Sequence, residues 1–164
     1  MSQNECASCG RDLEEDTACP SDDCPSHVKA EKIQASQRIS YAAKVFGLMF
    51  SIGVEPVIFY FAKQLCGEYT GGLWEFYKIF SPQGDLGFFM APSDAEQKYT
   101  VSSLNGYEGD MSAEAFGITV CLYAYSHISG STGKVGETCA EQYHVLREYM
   151  FNHPEARAIL KAID

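Results

Sequence analysis

The chain has 164 residues, with 12 Lys and Arg against 22 Asp and Glu, for a formal charge of −10. That balance disfavours a binder of phosphate backbones, which needs a basic footprint. An apolar fraction of 46% with 13% aromatic residues excludes wholesale disorder. Seven cysteines, an odd number, with no basic and apolar leader ahead of them, disfavour an exported disulfide framework and predict a cytoplasmic protein with metal-binding thiols.

The charge is unevenly spread. Residues 1–27 contain seven acids (Glu5, Asp12, Glu14, Glu15, Asp16, Asp22, Asp23) and one base, Arg11, a net of −6. Residues 28–164 contain the other 15 acids and 11 bases, a net of −4. We therefore divide the chain into a small acidic module, 1–27, and a nearly balanced body, 28–164, long enough to bury roughly two-thirds of its unfolded surface in one core.

Within the module, Cys6, Cys9, Cys19 and Cys24 read C-x2-C-x9-C-x4-C in a polar stretch that cannot build a core of its own. Four thiolates so spaced can close a tetrahedral shell on a structural Zn²⁺, a zinc-ribbon-like arrangement in which the metal supplies the folding free energy. His27 is a possible replacement ligand.

The body is predicted as α+β. Val28 to Phe50 has apolar residues at helical intervals (Ile33, Ile39, Ala43, Phe46, Phe50) with polar residues between them. A second, nearly all-apolar helix is expected from Pro56 to Leu65, meeting the first at Gly53 to Pro56. The apolar run Val45 to Phe61 is interrupted by Glu55-Pro56 and is short for a membrane span. Strands then follow at Leu73 to Phe80, Leu86 to Ala91 and Lys98 to Leu104, joined by turn-rich segments, and predict a three-stranded antiparallel meander. Ser112 is placed to cap a core helix through Tyr125, with Glu114 in its first turn. A Gly/Ser loop at 129–136 leads to Thr138-Cys139-Ala140-Glu141, a capping box opening the next helix. Pro154 restarts the chain into a last helix that docks through Ala158, Ile159, Ala162 and Ile163. The prediction is two N-terminal helices, a small sheet and three C-terminal helices.

Chemistry in the body is sparse. Gly130-Ser131-Thr132-Gly133-Lys134 imitates a phosphate loop, but Ile128 and Val135 stand where that motif needs Gly and Ser/Thr, and the segment follows a helix where the motif follows a strand. Cys66, Cys121 and Cys139 with His127 or His144 are the nucleophile and base candidates, and buried apolar cysteines are the simpler reading. The aromatic group around Trp74, Phe76, Tyr77 and Phe80 has only Lys78 interleaved, so it reads as sheet core and not as a base-stacking platform. Trp74, Glu75, Tyr77 and Glu114 are the candidate partner-contacting residues. No enzyme signature occurs.

The strings CGEYTGGLWEFY at 66–77, GFFMAP at 87–92, MSAEAFGIT at 111–119, YHVLRE at 143–148 and HPEARAILKAID at 153–164 together resemble the ArdB/KlcA antirestriction proteins. The resemblance runs from about Arg38 to Asp164. It implies a small cytoplasmic α+β protein of bacterial plasmids and mobile elements that alleviates restriction by type I restriction-modification systems, with no catalytic residues or cofactor to transfer. The cysteine module is outside that resemblance. A DNA mimic needs carboxylates near phosphate density, which a body at −4 lacks. The expected mode is therefore protein–protein inhibition of the restriction complex or a subunit, without direct DNA or membrane binding. The competing class is an adapter that recruits a partner through the zinc module on an antirestriction-like scaffold.

Overall fold

The computed structural model describes residues 28–164, so the predicted zinc module lies outside the described residues. The body is α+β, with five α-helices and a three-stranded antiparallel sheet among the described residues. In chain order these are β1 (Lys29–Lys32), α1 (Arg38–Phe46), α2 (Glu55–Leu65), β2 (Trp74–Ser81), β3 (Gly84–Pro92), β4 (Lys98–Ser102), β5 (Glu108–Ser112), α3 (Ala113–Ser129), α4 (Lys134–Met150) and α5 (Ala156–Ile163).

The sheet has the order β1-β2-β3, and β4 pairs only with β5. The sequence reading is corrected here: the third strand of the sheet is Lys29–Lys32 and not Lys98 to Leu104. Lys29-Ala30-Glu31-Lys32 consists of good helix formers, yet it pairs residue by residue with Phe80 through Tyr77. Ile33 extends that edge, donating its N–H to the Phe76 carbonyl at 2.7 Å. Satisfying the open edge of β2 outweighs local propensity, which is worth only tenths of a kcal/mol per residue. The alternation seen in β4 is real, with Tyr99 and Val101 buried, but its partner is Glu-Gly-Asp-Met-Ser at 108–112, across a turn at Asn105-Gly106.

The first two helices also join differently from expectation. α1 ends at Gly47, and a π-helical turn, Phe50–Val54, runs directly into α2 with Pro56 in the first turn. The two helical arms meet at 85°, so the bend lies at 47–49 and not at 53–56. No single helix among the described residues is long and apolar enough to cross a membrane. α4 likewise begins four residues before the predicted capping box, which leaves Thr138 buried inside it.

α3 is the central element and is buried on nearly every side from Ala113 to Ile128. Its N-cap is the predicted one, the Ser112 hydroxyl accepting from the Ala115 N–H at 3.3 Å. β3 would expose an open edge, but side chains close it. Gln142 of α4 accepts from the Phe88 N–H at 3.0 Å and donates to the Leu86 carbonyl at 3.4 Å. The Tyr125 hydroxyl of α3 donates to the Phe88 carbonyl at 2.6 Å, and Cys121 bonds the Met90 peptide. Helices thus cover this edge with side chains that bond the Leu86, Phe88 and Met90 peptides, as a fourth strand would.

Candidate functional site

The thiol candidates are sealed. Cys66, Cys121 and Cys139 are buried and free, and burial pushes the thiols of Cys121 and Cys139 up to about 12 and about 11. Thiols held protonated are poor nucleophiles. His127 sits exposed against Phe61, and exposed His144 against Tyr143, so these candidates form no nucleophile–base pair. The Gly130 to Lys134 segment is the connection between α3 and α4. Among the described residues no group of three or more His, Cys, Asp or Glu is arranged to hold a metal ion.

The four partner candidates divide. Trp74 is turned inward, 5% exposed, with its indole N–H donated to the Tyr69 hydroxyl at 2.8 Å; it can shape a surface only through the residues it supports. Glu75 is half-buried and ion-paired with Arg38, whose guanidinium also donates to the Trp74 carbonyl and lies over the Phe76 ring. Tyr77 stacks on Phe89 with centroids 4.7 Å apart, and the Tyr149 ring of α4 also stacks against Phe89, with centroids 5.8 Å apart. Burial first, then the carboxylates of Glu114 and Glu75, pushes Tyr77 up to about 12. Tyr149 is also raised to about 12, by burial and by the nearby Glu114 carboxylate. Glu75, Tyr77 and Glu114 are thus brought to one side of the sheet, near Tyr149.

That side continues into a polar junction which the sequence did not reveal. His153 Nδ1 accepts from the Glu155 N–H at 3.0 Å, which places the ring proton on Nε2, 3.5 Å from the Glu114 carboxylate. Glu155 accepts from the Ser112 N–H at 3.0 Å and from the Ser112 hydroxyl. In sequence His153 and Glu155 marked only a helix break, because their partners lie about 40 residues away. Burial pushes the Glu155 carboxyl up, but the Ser112 hydrogen bonds with His153 and Lys98 outweigh it and set it below the ordinary value.

A carboxylate with a lowered folded pKa stabilises the fold above its unfolded pKa, and the contribution is lost as pH falls through the folded value. Glu155→Ala is therefore expected to cost about 2 kcal/mol near neutrality, the scale of hydrogen bonds to a charged group. In urea melts the gap to the parent protein should shrink between about pH 6 and pH 3. A gap unchanged over that range would show that the charge on Glu155 contributes nothing.

A cleft of about 600 Å³ lies between α1 and the sheet, lined in part by Glu31, Lys32, Gln34, Lys44, Lys78 and Asp85. Its lysines are largely matched by its own acids, Lys78 to Glu31 at 2.8 Å and Lys44 to Asp85 at 3.7 Å, so it presents little unpaired charge to an anion. A smaller hollow of about 360 Å³ is walled by Phe59 and Tyr69 and edged by Lys63 and Gly71-Gly72.

The body is a small α+β domain in which the nucleophile, base and phosphate-loop candidates of the sequence form no catalytic constellation. A model of the antirestriction protein family matches residues 67–164. Antirestriction protein KlcA of Escherichia coli is 31% identical over 139 residues, covering 84% of this chain and 95% of that protein. The uncharacterized protein YfjX of Escherichia coli (strain K12) is 36% identical over 148 residues, covering 88% of this chain and 93% of its own length. A solved structure from work on the KlcA and ArdB proteins aligns with a TM-score of 0.74 at 31% identity, covering 84% of this chain and 95% of that one. Those two proteins are described as having a novel fold and antirestriction activity against type I DNA restriction systems in vivo but not in vitro. The chain belongs to the antirestriction protein family.

Proposed function

We propose that this protein relieves type I restriction by binding a protein component of the restriction complex in the cytoplasm. The observation that carries the reading is the structural match, over 84% of this chain and 95% of the other, to proteins with that activity in cells. Their activity in vivo but not in vitro fits an inhibitor whose partner is an assembled cellular complex. The body's charge points the same way. It holds 15 acids and 11 bases, and part of the acids are spent on internal pairs such as Arg38–Glu75 and Lys44–Asp85, far from the regular carboxylate ladder that would imitate duplex phosphates.

The reading includes an N-terminal zinc module. Cys6, Cys9, Cys19 and Cys24 hold one Zn²⁺, a closed set of protein ligands that serves structure and not catalysis. Restriction relief resides in 28–164, and the module adds to it. The test is phage plating on a strain with an active type I system. Unmodified phage should plate far better when either the full chain or 28–164 is expressed, and equal restriction with and without the full chain would end the proposal. Relief by the full chain but not by 28–164 would favour an adapter. Metal analysis of the full chain should find one zinc per molecule, with the four thiols protected from alkylation until a chelator removes it.

A further inference from the structure

We propose that the hollow between Phe59 and Tyr69 is the docking pocket for an extended segment of the partner protein, one that presents a large apolar or aromatic side chain next to a carboxylate. The inference deepens the reading above and rests on its premise of a protein partner. Three observations converge on this occupant.

The walls are aromatic and held in place. Phe59 and Tyr69 both stand nearly perpendicular to the buried Trp74 indole, at 85° and 89° with centroids 5.5 and 6.0 Å away. The Trp74 N–H to Tyr69 hydroxyl bond fixes the second wall. A rigid aromatic slot of about 360 Å³ accepts one large side chain and loses little entropy in doing so.

The far rim is bare backbone. Thr70, Gly71 and Gly72 are exposed and make no hydrogen bonds to other described residues, so their peptide groups are open to an incoming extended chain. Gly71 and Gly72 take φ values of 102° and 131°, and a Cβ on either would meet nothing within 4 Å. The rim is therefore set by glycine conformation and left unobstructed.

The charge selects the neighbour. Lys63 is exposed at the pocket edge and has no carboxylate partner among the described residues, whereas most lysines of the larger cleft are matched. On a body with a net charge of −4, this local positive site favours an acidic residue beside the anchor. This is the pattern of an interface core, with an aromatic pocket at its centre and polar groups at its rim.

The test titrates ¹⁵N-labelled full-length protein with the synthetic peptide Ac-Ser-Trp-Asp-Ser-NH2 and with its Lys-for-Asp counterpart. The Asp peptide should give saturable shifts in the amides of Lys63, Tyr69, Gly71 and Gly72, and bind about threefold to fivefold more tightly than the Lys peptide. Lys63→Glu, at an exposed position that leaves the spectrum dispersed, should reverse the preference. No saturable shift, shifts centred on the α1 cleft, or an unchanged preference in Lys63→Glu would overturn the proposal. So would a dimer in sedimentation that Lys63→Glu dissociates, since the occupant would then be a second copy. No restriction system enters the titration, so its result is separate from that of the phage assay. Where the full chain relieves restriction, Lys63→Glu should lose that relief, and its full retention would remove the pocket from the function.

Discussion

Gly117→Ala is expected to destabilise the protein by about 3 kcal/mol, at the upper end of ordinary overpacking costs, lowering the melting temperature by about 10 °C. Gly117 lies mid-way along the first half of α3, where the helix crosses β3. A Cβ there would stand 2.5 Å from the Ala91 Cα and closer still to the Ala91 Cβ and the Met90 carbonyl oxygen. Two of those atoms are backbone, so no rotamer change relieves the clash, and the helix must move off the strand. That movement stretches the Tyr125 to Phe88 and Cys121 to Met90 bonds that close the β3 edge. The gain of roughly 1 kcal/mol in helix propensity is too small to compensate. Gly130→Ala is the control: its nearest neighbour, the His127 carbonyl, is 3.6 Å away, and thermal melts should place it within about 1 kcal/mol of the parent. Equal melting temperatures for the two variants would refute the close-approach account.

What was legible in the sequence was whatever depends on neighbours along the chain. The Ser112 cap, the Gly130 to Gly133 loop, the β2–β3 hairpin and the period-two burial of β4 follow from turn chemistry and alternation over a few residues. The α+β class with five helices follows from the same local signals. The misplaced features depend on distant partners. β1 reads as helix until the open edge of β2 is available to it, and β5 is too short, polar and glycine-containing to read as a strand without β4 beside it. The predicted break at Gly53 to Pro56 rightly puts Pro56 in a first helical turn, but the π-helical turn Phe50–Val54 runs straight into that helix, and Gly47, with φ 65°, ends α1.

The surfaces divide in the same way. Glu75, Tyr77 and Glu114 were singled out in sequence without a view of their setting, and two of the residues that define it, Tyr149 and His153, come from 35 to 40 positions further on than Glu114. Trp74 drew attention as an aromatic residue within a motif, but its physical role is to hold Phe59 and Tyr69 upright. A buried residue that sets the posture of two half-exposed ones has no signature in composition or spacing, since both ends of the arrangement read equally well as core. The same limit applies to charge: the chain's −10 is plain in the sequence, but that Lys44 and Lys78 are paired with acids while Lys63 at the hollow is not is visible only in the structure.

Phe88→Ala is expected to cost about 4 kcal/mol, within the range for removing a fully buried aromatic ring and a large share of a typical domain stability of about 5–15 kcal/mol. Phe88 is fully buried, and its ring meets those of Phe46, Phe50 and Phe76 edge-on with centroids 5.8, 5.5 and 5.2 Å away, with Tyr41 at 6.4 Å. Those neighbours come from α1, the π-helical turn and β2, so one side chain ties the bent helical arm to the sheet. Alanine leaves a cavity that rigid rings on three elements cannot collapse to fill. The strand itself should stay in place, because Gln142 and Tyr125 bond the Phe88 peptide and not its ring. The loss is therefore expected to be regional: hydrogen exchange should rise most in Phe46 to Val54, where Phe46 and Phe50 lose their common partner, and least in the β2–β3 pairing. Phe88→Leu, which keeps most of the volume, should recover more than half of the stability. Uniform loss of protection across the sheet would show instead that the ring supports β3 directly, and would shift the tie between arm and sheet to the Tyr41 hydroxyl, which donates to the Gly87 carbonyl at 3.1 Å.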